Sequence, residues 1–132
     1  MKACLLDTHV LLWALMETHF LSATVRQLLQ SRTVPVFASA VSFWEISLKF
    51  ALGKLDLRGT TPEKLLHAAR ETGFLVLPIA ADDAAAVHKL PPLHSDPFDR
   101  MLVQQALRHD LVLISKDAAL RAYAPLGLQL EW

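Results

Sequence analysis

Short apolar runs, each followed at once by a helix-like pattern, constrain the fold of this chain more than any other feature. Three stand out, "ACLLD" (3–7), "VPVFAS" (34–39) and "LVLIS" (111–115), and two more are candidates, "FLVLPI" (74–79) and "LQLEW" (128–132). Helix-like periodicity occurs at 8–16, 22–31, 40–52, 61–72, 80–88 and 97–109. Apolar strands separated by helices are typical of a parallel sheet covered on both faces. The sequence therefore predicts a three-layer α/β/α fold with a central, mostly parallel sheet.

Length and composition limit the class of protein. A chain of 132 residues favours a single domain over residues 1–132. Hydrophobic residues make up 53% of it, which predicts either a large core or an apolar surface covered by a partner. No run reaches the roughly 20 apolar residues of a membrane span, and Asp7 and His9 interrupt the first apolar run. We therefore expect no membrane association and a cytoplasmic location.

Four carboxylates follow the predicted strands. Asp7 ends the first strand, Glu45 lies in the helix after the second, Asp99 opens the helix at 97–109, and Asp117 follows the run at 111–115. In parallel α/β sheets, functional groups collect beyond the carboxyl ends of the strands, where the strand order reverses. We therefore expect the four carboxylates to lie at one edge of the sheet.

Several of these acids also have an ordinary structural explanation. Asp7 and Asp117 fit helix N-caps, because aspartate accepts hydrogen bonds from the free amides of a first turn. Ser42 and Glu45 have the spacing of a capping box, and Glu45 with Lys49 has that of a solvated i,i+4 ion pair. Neither explanation excludes a shared site.

The segment "SDPFDR" contains two aspartates with different expected roles. Asp96 before Pro97 has the pattern of an N-cap with proline at the first helical position, which is sufficient to explain Asp96. Asp99 shares a helix face with apolar residues at i+3, i+4 and i+7, so it leans toward the buried side. A buried carboxylate without a partner is costly, so Asp99 requires one.

A cation among the carboxylates would explain the cluster. Like charges held close together raise one another's pKa and destabilise the fold unless something positive sits between them. Oxygen ligands without thiolates or paired imidazoles fit Mg²⁺ or Mn²⁺. The six histidines show no zinc-binding spacing; His94 lies nearest the predicted site, where it could touch substrate or bond to the backbone. A Mg²⁺ or Mn²⁺ ion keeps several waters and can bridge carboxylates to a phosphate.

Four segments together resemble a known family: "LLDTHVLLW", "SAVSFWEISLKFALGKL", "LPPLHSDPFDRMLVQQA" and "LVLISKD". They are similar to PIN domains, specifically to the VapC-type ribonuclease toxins of toxin–antitoxin pairs, from residue 5 to about residue 120. The resemblance implies an endoribonuclease whose catalytic and metal-binding residues are Asp7, Glu45, Asp99 and Asp117, with Mg²⁺ (or Mn²⁺) as cofactor. Thr8 and Ser115 match hydroxyl positions that support the metal site. Asp117 is matched less specifically, because "SKD" lacks the longer motif around the last acid.

The resemblance also implies partners. These are an RNA substrate, a second copy of the chain in a homodimer, and a cognate antitoxin whose C-terminal segment lies in a hydrophobic groove. The candidate residues for this groove are Trp13, Phe43, Trp44 and Phe50. Core packing is the alternative for each of them, and it is favoured for Trp44. Basic residues that could contact RNA phosphates, or simply be surface charges, are Lys49, Lys54, Arg100 and Lys116.

Alternatives remain from other classes. Receiver domains and haloacid dehalogenase-type phosphatases need a second acid close to Asp7, which "DTH" does not provide. A non-catalytic PIN-like module that binds another protein is the main alternative. Such a module should show no ion-specific stabilisation, whereas a clustered acidic site should be stabilised by Mg²⁺ or Mn²⁺.

Overall fold

One five-stranded parallel sheet organises the computed structural model, which describes residues 2–132. The strands are β1 (Cys4–Leu6), β2 (Val36–Ser39), β3 (Leu75–Leu77), β4 (Val112–Ile114) and β5 (Leu130–Glu131). Their spatial order is β3-β2-β1-β4-β5, and every neighbouring pair is parallel. The five apolar runs are therefore strands, as predicted.

Helices connect the strands. Over residues 2–132 the α-helices are α1 (Thr8–Met16), α2 (Ala23–Ser31), α3 (Ala40–Ala51), α4 (Pro62–Thr72), α5 (Ala81–Ala86) and α6 (Pro97–Arg108). Each corresponds to a predicted helix. The part of the chain that the structure describes also has three 3-10 segments, at Thr18–Phe20, Val87–Lys89 and Ala118–Leu126, of which the periodicity indicated only the second in part. Within residues 2–132, no helix is both long and apolar enough to cross a membrane.

Helix caps fix where the helices begin. The Asp96 side chain accepts hydrogen bonds from the first-turn amides of α6, so its predicted capping role is confirmed. The capping box at Ser42 and Glu45 is wrong, because α3 begins three residues earlier and Ser39 is its N-cap. Ser42 lies inside the helix, where its hydroxyl accepts a hydrogen bond from Thr8 (3.0 Å).

Both faces of the sheet are covered. Alternate strand residues point to opposite faces: Cys4 and Leu6 belong to one buried cluster, and Leu5 belongs to the other. The first cluster packs against α1, α2 and α4, and the second against α6 and the 118–126 segment. This confirms the predicted three-layer arrangement.

The strand order reverses beside β1. The chain moves outward from β1 through β2 to β3, and then crosses to place β4 on the other side of β1. The crevice beyond the carboxyl ends of β1 and β4 is therefore the expected position for a site.

Candidate metal centre

Asp7 lies at the carboxyl end of β1 and caps α1. Its Oδ1 accepts the Val10 amide at 2.8 Å, which confirms the capping prediction. The side chain is almost completely buried, and burial raises the pKa of Asp7. Hydrogen bonds from Ser115 and Val10 lower that pKa, and the charge of Glu45 raises it. Capping occupies one carboxylate oxygen, so it does not preclude a second role.

Asp117 reaches the same place from β4. Its Oδ1 accepts the Ala119 amide at 3.0 Å, which caps the 118–126 segment as predicted. The Asp117 amide donates to the hydroxyl of Ser115 (3.0 Å), which is buried beside Asp7. Ser115 therefore links the two acids that follow the adjacent central strands.

The position of α6 brings Asp99 to this edge. Gln105, a fully buried residue of α6, accepts a hydrogen bond from the Ser39 hydroxyl (2.6 Å) and donates to the Pro78 carbonyl (3.2 Å). These bonds attach α6 to the ends of β2 and β3. Because Asp99 lies in the first turn of α6, the attachment fixes where its carboxylate sits.

Asp99 is the acid whose protonation is most strongly affected. Burial, followed by the charge of Asp96 and those of Asp7 and Glu45, raises the pKa of Asp99 to about 7. Asp99 therefore senses the N-cap acid of its own helix and acids on two other segments, which indicates that the carboxylates converge.

Glu45, on α3, is buried, with 3% of its surface exposed. Its Oε2 pairs with Lys49, so the predicted ion pair is present, but its expected solvation is wrong. Its Oε1 has no hydrogen-bond partner in the part of the chain described. The pKa of Lys49 is raised by its hydrogen bond to Glu45 and by the charges of Glu45, Asp96 and Asp99.

The acids meet at one open cleft of about 520 Å³. It is lined by Asp7, His9, Trp13, Asp99, Lys116 and Asp117. Among residues 2–132, one group has the spacing to hold a metal ion: His94, Asp99 and Asp117, with one candidate atom from each within 4.8 Å of the others. Asp7 and Glu45 lie outside this group; Glu45 does not line the cleft but raises the pKa of Asp7 and Asp99.

These residues fit a hard divalent cation. Oε1 of Glu45 is a buried carboxylate oxygen without a hydrogen-bond partner among residues 2–132, and the charge of Glu45 raises the pKa of Asp7 and of Asp99. This arrangement is costly for protein groups alone. The donors are mainly carboxylate oxygens, as Mg²⁺ and Mn²⁺ prefer. A cation between them would offset the repulsion.

Arg100 has a structural role that the sequence did not indicate. Its guanidinium donates to the carbonyls of Val87, Leu90 and Pro91 at 3.0–3.3 Å and approaches the Tyr123 hydroxyl at 3.4 Å. A guanidinium has donors in several directions, so it can hold a loop in this way. Lys116 does line the cleft, and its Nζ lies 6.0 Å from the ring centroid of Trp13.

The aromatic candidates separate into different environments. Trp44, expected in the core, is 60% exposed and packs edge-on against Phe98. These two residues line a second, mainly apolar groove of about 400 Å³ with Ile79 and Met101. The other candidates lie elsewhere: Trp13 in the acidic cleft, Phe43 against the core and Phe50 on the surface.

Sequence reasoning did not identify the contact between His94 and Asp117. His94 Nε2 lies 3.1 Å from Asp117 Oδ2 and 3.6 Å from Asp99 Oδ2. The only signal in the sequence is that His94 stands two residues before the Asp96 cap. That spacing predicts the observed bond to the Asp96 backbone but not the second contact, which depends on Tyr123 holding the loop before α6 beside Asp117.

Comparison with known proteins gives one family and several similar folds. A family model described as "PIN domain" matches residues 4–125. A chain of the DNA-bound VapBC structure from Salmonella typhimurium superposes with a TM-score of 0.68 at 17% identity, covering 99% of this chain and 98% of that one.

Two further solved structures are similar. A chain of VapBC2 from Rickettsia felis, bound to a promoter DNA fragment, has a TM-score of 0.66 at 14% identity, with 98% of both chains covered. A chain of FitAcB from Neisseria gonorrhoeae has a TM-score of 0.61 at 20% identity, covering 96% of this chain and 95% of that one. No curated protein matches the chain in sequence. At these identities the structural likeness demonstrates the fold alone.

Proposed function

Because the chain belongs to the PIN domain family, we propose that it is a divalent-metal-dependent endoribonuclease, the VapC-type toxin of a toxin–antitoxin pair. One observation carries the proposal: Asp7, Asp99 and Asp117 line a single cleft where the strand order reverses, with buried Glu45 next to them. Three different segments bring these carboxylates to the cleft. Helix capping explains the hydrogen bonds of Asp7 and Asp117 to backbone amides, but it does not explain why the acids lie together.

The proposed chemistry is hydrolysis of an RNA phosphodiester. A bound Mg²⁺ or Mn²⁺ would polarise the scissile phosphate and lower the pKa of a water molecule. Asp7, Asp99 and Asp117 would hold that ion, and Glu45 would add negative charge. Lys116, on the cleft wall, would bind a phosphate of the RNA backbone. The net charge of zero makes such local contacts necessary.

The test is cleavage of a structured RNA by the purified chain, with Mn²⁺, with Mg²⁺ and with EDTA. We expect cleavage with either metal and none with EDTA. Asp7→Asn and Asp99→Asn should each lower the rate by at least about 100-fold, because the amide neutralises a ligand. Asp82→Asn is the matched control, since Asp82 is an exposed carboxylate on α5, outside the cleft.

Two results would reject the nuclease proposal. Cleavage that survives EDTA, or that Asp7→Asn and Asp99→Asn leave unchanged, would point to a contaminating ribonuclease. Failure of Mn²⁺ and Mg²⁺ to raise the melting temperature above that seen with EDTA would favour the non-catalytic binding module.

We also propose that the apolar groove around Trp44 binds the cognate antitoxin. The exposed indole, with Phe98, Ile79 and Met101, offers an apolar surface of the kind that an amphipathic or extended peptide covers. Co-expression with the product of the neighbouring small open reading frame, followed by titration calorimetry, tests this. Trp44→Glu should abolish that binding and leave RNA cleavage intact.

A homodimer is the remaining proposed assembly. Leu48 and Leu52 follow Trp44 at i+4 and i+8, near the same face of α3 and its C-terminal end, and both are more than 40% exposed. Light scattering coupled to size exclusion should give twice the 14.7 kDa of one chain. Leu52→Glu should convert the dimer to a monomer, and a monomeric wild-type chain would contradict the proposal.

A further inference from the structure

His94 lies on a loop held from several directions. Between the 87–89 segment and α6, the loop is fixed by Arg100, whose guanidinium donates to the carbonyls of Leu90 and Pro91 (both 3.0 Å). The fully buried Tyr123 donates from its hydroxyl to Pro91 (2.9 Å) and accepts the His94 amide (3.2 Å). The backbone of His94 is therefore fixed before its side chain makes any contact.

The imidazole is also fixed, and its bonding determines where its proton lies. The Asp96 amide donates to Nδ1 of His94 at 3.1 Å, so Nδ1 must present a lone pair. A neutral imidazole carries one N–H, so that proton is on Nε2.

The proton on Nε2 faces the acidic cleft. Nε2 lies 3.1 Å from Oδ2 of Asp117, so it donates to that carboxylate, and it lies 3.6 Å from Oδ2 of Asp99. Oδ1 of Asp117 accepts the Ala119 amide at 3.0 Å. The Asp117 carboxylate is thus held at both oxygens, and its orientation in the cleft is set by His94 on one side and by the 118–126 segment on the other.

We propose that His94 is a positioning residue that holds Asp117 for the metal through an Nε2–H donor and is not itself a metal ligand. This inference rests on the proposed function. Ligation through Nε2 would require a lone pair on that nitrogen and a proton on Nδ1, which would break the bond to the Asp96 amide. His94 therefore lies close to Asp99 and Asp117 because it orients a metal ligand, and not because it binds the metal itself.

Two substitutions separate the nitrogens of His94. The amide of His94→Asn can replace Nδ1 as acceptor for the Asp96 amide, but it is too short to reach Asp117. The amide of His94→Gln can replace Nε2 as donor to Asp117, but it leaves the Asp96 amide without its acceptor. A positioning role predicts that Asn weakens Mn²⁺ binding by at least about tenfold and that Gln restores it.

The first measurement is calorimetric titration of Mn²⁺ into the wild-type chain, His94→Asn and His94→Gln, with the metal-dependent cleavage rate of each. A merely structural role of His94 in the turn predicts the opposite order, with Gln worse than Asn, and would overturn the inference. Equal metal affinity in all three would also overturn it. A wild-type chain that neither binds Mn²⁺ nor cleaves RNA would instead reject the proposed function.

The second measurement does not depend on activity. Two-bond ¹⁵N–¹H correlation spectra of the histidine rings report which nitrogen carries the proton, and the signal missing from His94→Asn assigns His94. We expect Nε2–H without metal and also with saturating Mg²⁺. A change to Nδ1–H on adding Mg²⁺ would establish His94 as a ligand, and Nδ1–H in the metal-free chain would contradict its contact with Asp117.

Discussion

Asp99→Asn should make the metal-free protein more stable at pH 8. The pKa of Asp99 in the folded chain is about 7, against 3.8 for the unfolded group, and this difference corresponds to about 4 kcal/mol. The native state binds the proton more tightly, so stability falls as pH rises from about 4 to about 7 and stays low above that. Asparagine removes this cost, because it has no charge to bury.

The measurable gain in the free energy of unfolding is smaller than the value that the pKa difference gives. Solvent reaches 21% of the Asp99 side chain, which screens its charge and lowers the cost of ionising it in the folded chain. We therefore expect Asp99→Asn to raise the free energy of unfolding by about 1–2 kcal/mol at pH 8 and to leave it nearly unchanged at pH 4.5.

Urea denaturation in EDTA at the two pH values measures this difference. Saturating Mn²⁺ should reverse the order at pH 8, because the ion stabilises the wild-type cluster and binds the variant poorly. Asp82→Asn, which changes an exposed carboxylate on α5, should show neither effect. A variant less stable than wild type at pH 8 in EDTA would refute the conclusion that repulsion and burial dominate at this residue.

Three further predictions follow from other parts of the molecule. Arg100→Lys should lower the free energy of unfolding in urea by about 2 kcal/mol, since an ammonium cannot replace the guanidinium bonds to three carbonyls; an unchanged midpoint would contradict this role. Leu113→Ala, in the centre of the sheet, should cost about 2–5 kcal/mol in the same assay, whereas a cost below 1 kcal/mol would mean that the core closes around the gap. Trp44→Ala should change stability by less than about 1 kcal/mol, because the indole is 60% exposed, and should weaken antitoxin binding at least tenfold by calorimetry; a large loss of stability would show that the indole is core.

The strands and helices could be predicted because their signals are local. Each strand is a short apolar run, and caps such as Asp96 mark helix starts within a few residues of sequence. The sequence also predicts that Asp7 and Asp117 lie at the same edge of the sheet, because parallel strands of one sheet end at the same edge. That expectation required no knowledge of the strand order.

Features that depend on distant contacts could not be predicted in this way. The burial of Glu45 follows from the packing of α3 over the sheet, whereas the sequence near it indicates only an exposed i,i+4 pair. In the sequence, Arg100 has the pattern of an ordinary surface charge. Only the folded chain brings the carbonyls of residues 87–91 within hydrogen-bond distance of its guanidinium. Trp44 is apolar by type, yet its exposure depends on which face of α3 the neighbouring elements leave uncovered.

Capping and metal binding are compatible in this cleft, because the bonds that fix each carboxylate leave capacity for a cation. Oδ1 of Asp7 accepts the Val10 amide, and Oε2 of Glu45 accepts from Lys49, while Oε1 of Glu45 has no hydrogen-bond partner among residues 2–132. Asp117 is bonded at both oxygens, but each retains a further lone pair. The same bonds that begin helices therefore orient the acids toward one another. The repulsion that remains is what a divalent cation would relieve, so the cost of the metal-free cluster and its affinity for metal have one structural origin.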